Sequence, residues 1–100
     1  MTYSARFPTS VIEKKFRKVL SGIPEDIQDK IMQAIEDLQS DPRPFGAKLF
    51  KQLNPPVELS QYVAQYRLRV GNYRILYDVD DHRRIVWIFA LRKRNEGTYR

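Results

Sequence analysis

The sequence predicts an α+β domain: an N-terminal strand, a two-helix hairpin, then a three-stranded antiparallel meander, all strands in one sheet. Three observations predict it. Apolar residues recur at helical spacing between residues 10 and 38, and strand-forming residues alternate or run continuously from residue 66 onward. Turn residues separate these segments. One hundred residues, 42% of them hydrophobic, suit a single domain spanning residues 1–100 with one core.

Tyr3-Ser4-Ala5-Arg6-Phe7 alternates as a short first strand, and Pro8-Thr9-Ser10 supplies a stop and a helix cap, so a helix is expected to begin near Ser10. Ile12, Phe16, Val19 and Leu20 form its apolar stripe, and Ser21-Gly22 ends it. Pro24 opens a second helix with Glu25 and Asp26 at its positive end, and Ile27, Ile31, Ile35 and Leu38 supply the buried face. Asp41-Pro42-Arg43-Pro44-Phe45-Gly46 stops that helix, because proline lacks the donor that a helix interior needs. Ala47 to Lys51 reads as a short strand or a helical turn, and Asn54-Pro55-Pro56 as loop.

Tyr66 to Val70 and Tyr73 to Val79 flank the turn Gly71-Asn72. A two-residue turn pairs Val70 with Tyr73, Arg69 with Arg74, Leu68 with Ile75, Arg67 with Leu76 and Tyr66 with Tyr77. One side is then apolar and the other carries Arg67, Arg69 and Arg74. The turn Asp80 to Arg83 leads into a last strand, Ile85 to Leu91, which is apolar on both faces and belongs inside the sheet, with the N-terminal strand beside it. Helices are expected on the Tyr66, Leu68, Ile75 and Tyr77 face, leaving the arginine face open. Pairing Asp80 with Arg83 sets Phe89 opposite Arg74 and Trp87 opposite Leu76, where bases would stack. By ordinary burial tendencies these two aromatics read first as core or partner-contact residues.

Like charges directly opposite destabilise a sheet, so Arg69 facing Arg74 points to an anion, and the planar arginine fork suits phosphate. Charge supports this. Residues 1–66 hold nine Lys/Arg against eight Asp/Glu, whereas residues 67–100 hold nine against four, so most of the net +6 lies in the last third. That asymmetry favours nucleic acid or an acidic protein over a neutral metabolite. With no cysteine, disulfides and thiolate metal sites are excluded. Asp80, Asp81 and His82 fall short of a metal ligand set, so neither metal nor other cofactor is expected. His82 reads as an exposed turn residue. The chain shows no signal peptide and no bilayer-length apolar run, which predicts a cytoplasmic protein without membrane attachment.

The run Tyr66 to Val79, the ending Arg92-Lys93-Arg94-Asn95-Glu96-Gly97-Thr98-Tyr99-Arg100, and Asp41-Pro42 followed by Gly46-Ala47-Lys48-Leu49 together resemble the RelE/ParE superfamily of toxins. The resemblance spans nearly the whole chain. It implies the toxin of a type II toxin–antitoxin pair, bound by a cognate antitoxin, with a complex that binds operator DNA in some cases. RelE-like members cleave translated mRNA on the ribosome. ParE-like members inhibit DNA gyrase without hydrolysis, and a non-toxic antitoxin-binding regulatory module is a further alternative.

The basic cluster followed by Tyr99 favours the RelE-like layout: a ribosome-dependent endoribonuclease using metal-free phosphodiester transfer. Carried over by position, Arg67 and Arg69 fall on basic strand positions, Arg74 on the phosphate-binding arginine, Arg94 on the group near the leaving oxygen, and Tyr99 on the tyrosine that stacks or orients the nucleotide. Lys48, Lys51, Arg92 and Lys93 are further RNA-binding candidates. The chain departs from the pattern at Arg92, where a glycine is usual, and in a longer connection from Asn54 to Gln65. Attack by a 2′-hydroxyl needs a proton acceptor and cations on the transition state. Cations are abundant, but arginine is a poor base, and Lys48, Lys51, Lys93 and Glu96 have no distinguishing spacing.

Overall fold

The computed structural model describes residues 2–94. Strand β1 (Ser4–Arg6) leads into helix α1 (Ser10–Ser21) and helix α2 (Glu25–Leu38). Thr9 rather than Ser10 caps α1, its hydroxyl accepting from the Ile12 N–H at 3.1 Å. Phe16 is the buried residue of α1 and lies 5.1 Å from Phe7 between ring centroids. Helix α2 starts after Pro24 with Glu25 and Asp26 in its first turn and buries Ile31, Ile35 and Leu38, as its 3.6-residue pattern requires.

Four strands follow: β2 (Phe50–Leu59), β3 (Tyr62–Val70), β4 (Tyr73–Asp80) and β5 (Ile85–Lys93). The sheet order is β1-β5-β4-β3-β2, with β1 parallel to β5 and every other pair antiparallel. The meander therefore has one strand more than expected. Strand β2 runs through Asn54-Pro55-Pro56, which a sequence reading assigns to loop because neither proline can donate to a ladder. The strand carries them as an outer strand, with a register shift between Gln52 and Val57 and a cis Asn54–Pro55 bond.

The central hairpin has the expected register, from Tyr66 opposite Tyr77 to Val70 opposite Tyr73, and Gly71 takes φ +59° at the turn. The last hairpin does not. Asp80 pairs with Ile85, Asp78 with Trp87 and Tyr77 with Ile88, and beyond a bulge at Phe89 on β5, opposite the step from Leu76 to Tyr77, Leu76 pairs with Ala90 and Arg74 with Arg92. A longer turn, with Arg84 at φ 57°, and the bulge displace Phe89 and Trp87 from the positions a tight turn gives them.

Both helices lie on one side of the sheet, where Phe16, Ile31, Leu38, Tyr66, Ile75, Tyr77, Ile88 and Leu91 form the main core. The other face is not wholly open. Ala64, Leu76 and Phe89 form a second cluster with Leu53, Val57, Leu59, Tyr62 and Trp87 around it, and Tyr62 stacks on Phe89 at 5.2 Å. At the outer side of β1, Gln39 accepts the Tyr3 N–H with its backbone carbonyl (2.7 Å) and the Ala5 N–H with its side-chain oxygen (3.0 Å).

The segment between α2 and β2 is anchored by a polar network. Arg43 donates two hydrogen bonds to the Asp81 carboxylate (3.0 and 2.9 Å) and one to the Tyr66 hydroxyl (2.7 Å). Tyr3 donates to the same carboxylate at 2.6 Å, and Tyr77 donates to the Pro42 carbonyl at 2.8 Å. The bonds from Arg43 and Tyr3 hold the Asp81 carboxyl at about 2, below its ordinary 3.8. A depressed carboxylate contributes stability above its unfolded-state pKa and loses it as pH falls toward its folded-state pKa. Stability is therefore expected to decline between about pH 4 and pH 2. Burial raises Asp78, whose contribution has the opposite sign and weakens as pH rises through its own titration. Thermal melts of wild type and Asp81→Asn across that acid range check this. The variant should melt lower at neutral pH and lose less on acidification, and an unaltered acid slope would refute the assignment.

Candidate nucleic-acid interface

Alternation along the strands gathers cations at one end of the second face. Arg69, Arg74 and Arg92 stand directly opposite one another on β3, β4 and β5. With neighbouring strands about 4.8 Å apart, they form a row across the sheet. Lys51 and Arg67 face each other one pleat away, and that row continues into Leu76 and Ala90. Arg94 joins from beyond β5: its N–H donates to the Asn72 carbonyl, and its own carbonyl accepts from Arg74 Nη2 at 2.7 Å.

The electrostatics follow from this crowding. Burial, and then repulsion by Arg69, Arg74 and Arg94, lower the Arg67 guanidinium below its ordinary range. Its Nε is buried with no hydrogen-bond partner among the described residues. The ion pairs found among the described residues are Arg17–Glu13, Arg43–Asp81 and Arg83–Asp80, so no carboxylate among the described residues engages Arg67, Arg69 or Arg92. Such a surface offers an anion several guanidinium forks at little reorganisation, since they are already held side by side.

The expected residues fall into three groups. Arg67, Arg69, Arg74, Arg92, Arg94 and Lys51 converge here. Lys93 is exposed at the end of β5 opposite Tyr73, and Lys48 is exposed on the turn before β2, outside both rows. Tyr99 and Glu96 lie outside the described residues. Phe89 is no base platform: it is buried in the second cluster beneath Tyr62. Trp87, opposite Asp78, packs at that cluster's margin. Arg92 faces Arg74 because of the longer turn and the bulge together, signals that sequence alternation alone does not carry. Among the described residues, no group of three or more His, Asp or Glu is placed to hold a metal ion.

A strand, two helices on one side, and a meander returning to pair with that first strand define a toxin of the RelE/ParE superfamily. Residues 10–97 match the family described as the ParE toxin of type II toxin–antitoxin system, parDE. The chain belongs to that family. No curated protein shows significant similarity to it. Among solved structures, the archaeal RelE–RelB complex from Pyrococcus horikoshii OT3 contains a chain 22% identical, with TM-score 0.70, covering 96% of this chain and 99% of that one. The toxin–antitoxin complex RelBE2 from Mycobacterium tuberculosis gives 25% identity, TM-score 0.64, and coverage of 94% and 100%. A free-state mutant of Escherichia coli toxin RelE gives 16%, 0.55, and coverage of 98% and 88%.

Proposed function

We propose that this toxin is a ribosome-dependent endoribonuclease that cleaves translated mRNA and is held inactive by a cognate antitoxin in the cytoplasm. The observation that carries this reading is the Arg69–Arg74–Arg92 row, with Arg67 and Lys51 beside it and Arg94 nearby. These cations would grip the phosphates flanking the cut and stabilise the charge that develops as the 2′-oxygen attacks. Catalysis then depends chiefly on alignment of the RNA and on electrostatics, because the row holds no carboxylate or histidine to act as a base. Tyr99 remains the proposed nucleotide-orienting group, with Lys48 and Lys93 as outer RNA contacts.

The match to a ParE toxin family supports a second reading, in which this chain acts as the ParE-like members of the superfamily do and inhibits gyrase without cleaving RNA. Inducing the protein without antitoxin and mapping mRNA 5′ ends separates the two. Cuts within translated frames are expected. Intact transcripts during growth arrest, together with loss of supercoiling activity by purified gyrase on addition of the toxin, would replace the first reading with the second.

A further inference from the structure

Strands β3 and β5 are separated by β4 in the sheet, yet the Tyr62 ring of β3 stacks on the Phe89 ring of β5, with centroids 5.2 Å apart and planes 23° from parallel. The end of the β2–β3 hairpin therefore curls across the second face. Its turn is tight: Leu59 pairs with Tyr62, and Ser60 takes φ 60° between them. Leu59 and Ser60 meet Phe89, Ala90 and Arg92 along one groove of about 290 Å³, which confirms that the hairpin end reaches β5. Ala64 and Leu76, both buried, complete the cluster around Phe89.

Tyr62 is thus held by one side of its ring and stays half-exposed. The ring beneath it is fixed, because Phe89 is buried at the bulge of β5. Phe89 and Arg92 are three residues apart on that strand, about 10 Å along it. The Arg69–Arg74–Arg92 row therefore ends close to an anchored aromatic ring. A nucleobase is only one sugar away from its phosphate, so a strand whose phosphates lie on Arg74 and Arg92 brings a neighbouring base within reach of Tyr62.

We infer that Tyr62 is a stacking platform for one unpaired nucleobase of that RNA strand. This rests on the RNA-binding reading above and adds a contact to the base, where the arginine row supplies contacts to the backbone. Stacking requires a flat ring held in place with a side to offer, and it tolerates any base because every base has a π-face. Purines, having the larger ring system, are preferred. Trp87 is worse placed for this role. It lies five residues from Arg92 and opposite Asp78, whose carboxylate repels a phosphate backbone.

The test measures dissociation constants of the full chain for two labelled 2′-O-methyl RNA hexamers, which resist cleavage: one of six adenosines, the other with the same backbone and abasic sugars. Wild type should bind the adenosine hexamer about tenfold more tightly than the abasic one. Tyr62→Leu keeps apolar cover on Phe89; it should bind the abasic hexamer within about twofold of wild type and lose most of the preference for bases, whereas Tyr62→Trp should keep that preference. On the unsubstituted protein, irradiation with a hexamer containing 5-iodouridine should give an adduct at Tyr62. A Tyr62→Leu protein that retains the preference, or that weakens both hexamers equally, would overturn the platform, as would adducts confined to Trp87 or to other residues. Binding of the abasic hexamer with no gain from bases would overturn the platform alone and leave the arginine row standing. Binding of neither hexamer would reject the phosphate-binding reading and the platform with it.

Discussion

Arg74→Ala is expected to weaken binding of single-stranded RNA by about 10- to 100-fold, the range of losing one or two charge-assisted hydrogen bonds. Arg74 stands at the centre of the row, with Arg69 on one side and Arg92 on the other. Its loss removes one guanidinium and separates the two that remain. It also deletes the donor to the Arg94 carbonyl, so the fourth guanidinium loses an anchor. Arg74→Lys separates these effects: it keeps the charge but gives up the planar fork, and an intermediate loss is expected.

Affinity measured across a salt series gives a second readout. Each phosphate contact removed should flatten the logarithmic slope by about 0.7 for a single strand. Arg83→Ala is the control, since Arg83 lies in the exposed turn beside Asp80 and outside the row. If Arg74→Ala and Arg83→Ala reduced affinity equally, binding would reflect net charge alone and the row would have no special standing.

Tyr77→Ala should be the most damaging single change to folding. Tyr77 is fully buried on β4, lies 5.6 Å from the Tyr66 ring, and donates to Pro42. Removing the ring leaves a cavity between helices and sheet, at an expected cost of about 3–5 kcal/mol. Burial raises the phenol well above its ordinary range, so the residue stays a neutral donor throughout the working pH range. Tyr77→Phe keeps the ring and removes only that donor, for which about 1–3 kcal/mol is expected. Urea unfolding of the three proteins distinguishes cavity from hydrogen bond. A Tyr77→Ala variant no weaker than Tyr77→Phe would mean that the surrounding core closes over the void.

Local chemistry made much of this molecule readable before its structure. Gly71-Asn72 fixes a two-residue turn, and from it the pairing of Arg69 with Arg74 follows by counting. The spacing of Ile27, Ile31, Ile35 and Leu38 fixes the buried side of α2. Features that depend on distant partners were not readable. Strand β2 holds two residues that normally argue against a strand, and its existence depends on β3 offering a ladder to the residues on either side of them. The turn before β5 is longer than a tight hairpin and shifts the β4–β5 register by two residues, and the bulge at Phe89 shifts it by one more, which together bring Arg92 rather than Phe89 to Arg74 and leave Phe89 in a second core. Arg43 and Asp81 are separated by 38 positions, and nothing in either neighbourhood announces their pairing.

The prolines of β2 have a colloidal consequence. The sheet's two flanks are β1 and β2. Along the first, Gln39 occupies donors that another molecule would otherwise use. Along the second, Pro55 and Pro56 have no N–H to donate to an adjoining strand. Concentrated toxin stripped of its inhibitor is thereby discouraged from stacking flank to flank into fibrils, a safeguard that matters most once nothing else shields the chain.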